Sequence, residues 1–111
     1  MYLGKRDFDN AIEAATRATQ QTPGNPAPYD TLGRAYTAKK QFAEAEEAFS
    51  TALEKQPGYL SALLGLGNLY GVQRKYYQAL QQYQQVLAVR ENVPEAFVGL
   101  AGVYRMTGNK T

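Results

Sequence analysis

Neither cysteine nor histidine occurs in these 111 residues, and tryptophan is missing as well. Without cysteine there are no disulfides and no thiol nucleophile. Losing histidine too removes Cys/His zinc sites and the commonest acid–base side chain. No run approaches the ~18 uninterrupted apolar residues of a membrane-spanning helix. The opening Met1-Tyr2-Leu3-Gly4-Lys5-Arg6-Asp7 does not read as a secretory signal. An excess of either charge is also lacking: 12 Lys plus Arg against 10 Asp plus Glu leave +2. That balance announces neither a nucleic-acid nor a membrane partner. What is there, 44 % hydrophobic and 20 % charged, fits one ordinary folded domain.

Shifted against itself by 34 residues, the chain falls into register. Tyr2, Tyr36, Tyr70 and Tyr104 share one column, and Leu32, Leu66 and Leu100 another. Phe8, Phe42 and Tyr76 make a third, Ala11, Ala45 and Ala79 a fourth, and Gly33, Gly67 and Ala101 a fifth. Within each period the apolar residues recur at helical spacing, as in Tyr29, Leu32, Gly33 and Tyr36. Asn25 is a suitable N-cap ahead of prolines in a first turn, and Gln56-Pro57-Gly58 stops a helix. The spacing predicts helices near 7–20, 27–39, 42–55, 60–73, 76–89 and 94–107, and an all-α fold. The period divides the single array into four pieces. A partial repeat holding a second helix spans 1–25, complete repeats span 26–59 and 60–93, and a first helix spans 94–111. The small residues Gly33, Gly67 and Ala101 are expected to meet Ala11, Ala45 and Ala79 where paired helices cross closely. Stacking of pairs then completes a core that one pair cannot bury.

These columns resemble the tetratricopeptide repeat family. Tyr29, Leu32-Gly33, Tyr36, Ala45, Phe49, Ala52 and Pro57 follow its pattern throughout. The next copy has Leu63, Leu66-Gly67, Tyr70, Ala79, Tyr83 and Val86, but Glu91 stands where the family prefers proline. The resemblance implies a right-handed superhelix, or solenoid, of antiparallel helix pairs whose first helices line a concave groove. It also implies a scaffold that binds peptides or helices of other proteins. On that reading the groove positions include Asp30, Arg34, Leu64, Asn68, Val98 and Arg105, with Leu64 and Val98 as apolar floor. Gly65 and Gly99 lie beside them. A subfamily that grips chaperone C-terminal carboxylates carries Lys and Asn on the first groove helix, Asn on the second, and Lys and Arg on the third. Asp30 and Arg34, Gly65, and Glu95 and Gly99 stand there instead, which disfavours a chaperone tail.

An enzyme reading finds little to stand on. Glu44, Glu46 and Glu47 follow a helix start, where carboxylates favour the helix dipole. Gly65-Leu66-Gly67-Asn68-Leu69-Tyr70-Gly71 has no preceding strand and no following Gly-Lys-Ser/Thr, so it is no phosphate loop. No cofactor or metal is expected. A basic edge is the rival site: Lys5 and Arg6, Lys39 and Lys40, and Arg74 and Lys75 recur at the repeat period. It would suit an anionic partner, although cations near helix ends also offset the dipole. Exposed aromatic interleaving for nucleic acid is lacking. A third alternative is a purely structural segment of a longer superhelix. Finally, Phe97, Leu100 and Tyr104 are expected to leave an apolar face open to the first helix of a second copy, giving head-to-tail self-association.

Overall fold

A computed structural model describes residues 5–108, with side chains from Asp7 onward. Tyr2 of the first column and the side chains of Lys5 and Arg6 lie outside the described residues. Six helices follow one another: α1 (Lys5–Gln21), α2 (Pro26–Ala38), α3 (Phe42–Lys55), α4 (Leu60–Val72), α5 (Tyr76–Val89) and α6 (Pro94–Thr107). Among the described residues there is no strand. The helix bounds depart from those expected by two residues at most.

Local chemistry sets these bounds. Asn25 Oδ1 accepts a hydrogen bond from the Ala27 amide at 3.1 Å, and Pro26 opens α2 where no amide is needed. α2 ends with Lys40 in the left-handed region at φ +64°, the Lys40 amide bonding to the Thr37 carbonyl and the Gln41 amide to that of Tyr36. This is the double bond of a Schellman ending. α4 repeats it with Arg74, and Gly108 follows α6 at φ +76°. Gly58 also stands at positive φ, in the turn between α3 and α4.

Consecutive helices pack as neighbours, and α4 also touches α2 and α6 directly. Among the described residues the second helices α1, α3 and α5 make no such mutual contact. A stack held together along one row and splayed along the other must curve, so α2, α4 and α6 form the concave side. α4, flanked by α2, α3, α5 and α6, buries Ala62, Leu63, Leu66, Leu69 and Tyr70 and is apolar almost all round. Phe49, Leu69 and Val86 are the largest fully buried side chains, each contributing about 1.5–3 kcal/mol by leaving water.

Gly33 and Gly67 face their paired helices α3 and α5 through an aromatic ring. A Cβ on Gly33 would fall 2.6 Å from the Phe49 ring, and one on Gly65 would press the same ring from α4. Tyr83 is gripped likewise between Gly67 and Gly99. A ring at a junction of repeats needs bare backbone on both sides, so each of these four glycines faces an aromatic of a second helix. Gly65 is buried against a core ring and also lines a hollow beside Asn68, and Ala101 is exposed.

Candidate functional site

The concave side holds a hollow of about 580 Å³, within the usual range for binding sites. One wall comes from the start of α4 through Leu60, Ser61, Leu64 and Asn68, with Arg34 reaching over from α2. The other comes from the α5–α6 connection and first turn of α6, through Arg90, Asn92, Val93, Pro94 and Glu95. Asn68 also lines two smaller hollows, one toward Thr37 and Ala38, the other toward Gly71, Val72 and Arg105. A continuous track thus runs along the inner helices, with Asn68 at its middle.

Asp30 takes a different place from the one expected of a groove residue. It is 8 % exposed, and its Oδ2 accepts from the Ser61 hydroxyl at 2.6 Å and from Arg34 Nε at 3.3 Å. The Arg34 Nη2 donates to the Ser61 carbonyl and hydroxyl, both at 3.0 Å. Asp30 is thereby a tie between α2 and α4, while Oδ1 is buried without a partner among the described residues. Its charge is withdrawn from the groove because Ser61, one repeat on, comes within reach. Val98, 72 % exposed, stands clear of the hollows described above, so it supplies no floor to them. Leu64 is half-buried in the large hollow, and Arg105 is exposed at the far end of the track.

The basic edge is thinner than its recurrence suggests. Lys39 pairs with Asp9 of α1, which withdraws it from solvent. Lys40, Arg74 and Lys75 remain exposed at the turns after α2 and α4. Two hydroxyls in the stack titrate abnormally. Tyr70 is pushed up to about 12 by burial and by its 2.8 Å hydrogen bond to Glu46, and burial also raises Tyr83.

Arg90 and Asn92 went unread as site residues in the sequence. The signal was Glu91, the departure from Pro57 one period earlier: the connection around it does not repeat the Gln56–Tyr59 turn with its left-handed Gly58. Among the described residues no three His, Cys, Asp or Glu gather as a metal site, and no helix is long and apolar enough to cross a membrane.

The sequence profile of the tetratricopeptide repeat matches residues 2–66, and a second profile of the same description matches residues 60–93. No curated protein sequence matches the chain. The first such repeat domain of Spaghetti (RPAP3), bound to the HSP90 peptide SRMEEVD, is 26 % identical with a TM-score of 0.86. The match covers 92 % of this chain and 83 % of that one. The first domain of human RPAP3 is likewise 26 % identical, TM-score 0.86, over 92 % and 80 % of the two chains. The Sgt2 domain from Aspergillus fumigatus is 25 % identical, TM-score 0.84, over 93 % and 70 %.

Proposed function

Because the chain belongs to the tetratricopeptide repeat family, whose members serve as protein-interaction scaffolds, we propose that its concave side holds an extended segment or helix of a partner protein. The observation that carries this reading is the track through Arg34, Leu64, Asn68 and Arg105, where apolar wall and hydrogen-bonding side chains alternate. Asn68 can pair both an N–H and a C=O of a peptide backbone. Arginine, amide and aliphatic groups bind and orient; they offer no nucleophile with its base, so the reading includes no catalysis.

The Spaghetti relative is bound to a chaperone peptide, and that likeness lends no support to our expectation against chaperone tails. The expectation stands as a proposal on this chain's own residues. Of the clamp positions, Asp30 is withdrawn, Gly65 is buried, and Glu95 is acidic, leaving Arg34 as the cation. A partner segment should therefore be read along its length and not by its terminal carboxylate. Amidating the C-terminus of SRMEEVD should change any affinity by less than about twofold; abolished binding would restore the clamp.

The decisive variant is Leu64→Asn, which removes apolar wall without adding charge. Against a partner captured by the parent chain and then purified, it should bind about tenfold more weakly with helix content unchanged. Tyr77→Ala, at a residue 73 % exposed on α5, should bind as the parent does. Full affinity in Leu64→Asn with loss in Arg74→Gln would move the site to the basic turns. Full affinity in all three would leave the array a structural segment.

A further inference from the structure

The two arginines of the large hollow differ in what already holds them. Arg34 makes three bonds inside the protein, one from Nε to Asp30 and two from Nη2 to Ser61. A guanidinium carries five N–H groups, so the pair on Nη1 stays free, and the other three bonds fix its direction. Arg90, on the opposite wall, makes no ion pair or side-chain hydrogen bond among the described residues. Glu95 is the one acidic side chain of the lining, and Asp30 sits behind Arg34. The lining thus sets Arg34, already paired with Asp30, and the unpaired Arg90 against Glu95, over a wall of Leu60 and Leu64 that suits methylene groups.

Resting on the concave-side reading, we infer that this hollow receives an acidic side chain, Asp or Glu, of an extended partner segment, between Arg34 and Arg90. Charge complementarity selects it. A basic side chain would meet the unpaired Arg90 and the free N–H pair of Arg34, and an apolar one would strip water from free N–H groups and give nothing back. Asp30 is a positioning residue: it holds the Arg34 guanidinium in place before the partner arrives, which lowers the ordering cost of binding. Glu95 limits the affinity by repelling the incoming carboxylate.

Hexaglutamate and hexaglutamine, both acetylated and amidated so that their termini carry no charge, test this by amide shifts in NMR titration. Hexaglutamate should saturate shifts at Ser61, Asn68 and Asn92, and hexaglutamine should bind at least about tenfold more weakly. Arg90→Gln should weaken hexaglutamate at least about threefold, and Glu95→Gln should tighten it by a similar factor. Asp30→Asn should weaken binding in the parent but add nothing once Arg34→Gln is present, a coupling that a merely structural role would not produce. Equal affinity for the two peptides would overturn the inference. So would Arg90→Gln and Glu95→Gln moving affinity in the same direction, shifts confined to Lys40, Arg74 and Lys75, or displacement by equimolar inorganic phosphate. Each of those results leaves the concave-side reading standing, since that reading falls only with an unchanged Leu64→Asn.

Discussion

Lys40, Arg74 and Gly108 stand 34 residues apart and occupy the same left-handed place after successive first helices. For a residue with a Cβ that conformation costs about 1–2 kcal/mol. Glycine avoids the cost but adds freedom to the unfolded chain and removes a cation from the helix end. The balance favours glycine, so Lys40→Gly or Arg74→Gly should each gain up to about 1 kcal/mol in urea unfolding. A loss would mean that the cation at the helix end outweighs the strain. Tyr70 gives a prediction in pH. Its phenol is raised to about 12 in the folded chain against 10.0 ordinarily, so the folded state holds a proton that the unfolded state releases first. The stabilisation is therefore complete below about pH 10 and lost as pH climbs toward 12, with Tyr83 acting in the same direction. Urea midpoints should fall between about pH 10 and pH 12, and Tyr70→Phe should flatten that fall. An equal fall in the variant would place the titration elsewhere.

Between helices, the clasp of each aromatic ring sets what a glycine tolerates. Gly65→Ala drives a methyl into the Phe49 ring and should cost about 1–3 kcal/mol. At Gly71 a Cβ meets nothing within 4 Å, so Gly71→Ala should stabilise by up to about 1 kcal/mol through helix propensity alone. Thermal melts that shift alike for both would show that the rings move aside freely. The helices themselves were legible from the chain because caps, turn residues and apolar spacing act locally. Asn25 bonding to the second helical amide needs no distant partner. The clasp was hidden because Gly65 and Phe49 belong to different repeats, and a column of glycines does not say which ring will face it. Asp30 was misplaced for the same reason, since its burial depends on Ser61, 31 residues away. The period showed only that Glu91 broke a pattern, not that Arg90 and Asn92 would line a hollow beside it.

Taken together, the helices make a curved stack of 45 × 31 × 24 Å with an inner row in mutual contact and an outer row apart. Phe97 and Met106 of α6 stand open, 53 % and 61 % exposed, while α1 already buries Ala15 and half-buries Phe8 and Ile12. If α1 of a second copy covers α6, the mass of the 111-residue chain in light scattering should rise from micromolar to millimolar concentration, and Phe97→Glu should suppress the rise. A constant mass would remove self-association from the account. The rings have a kinetic consequence as well. Phe49 is gripped by backbone from α2 and α4, and Tyr83 by backbone from α4 and α6, so neither can turn over unless two inner helices part for a moment. Ring rotation is then a clock for the opening of each junction, read as separate or merged signals from the two edges of the ring. A segment lying along the inner row would hold the helices together and slow both clocks. One that grips only the hollow beside Arg90 would slow Tyr83 and leave Phe49 running at its own rate.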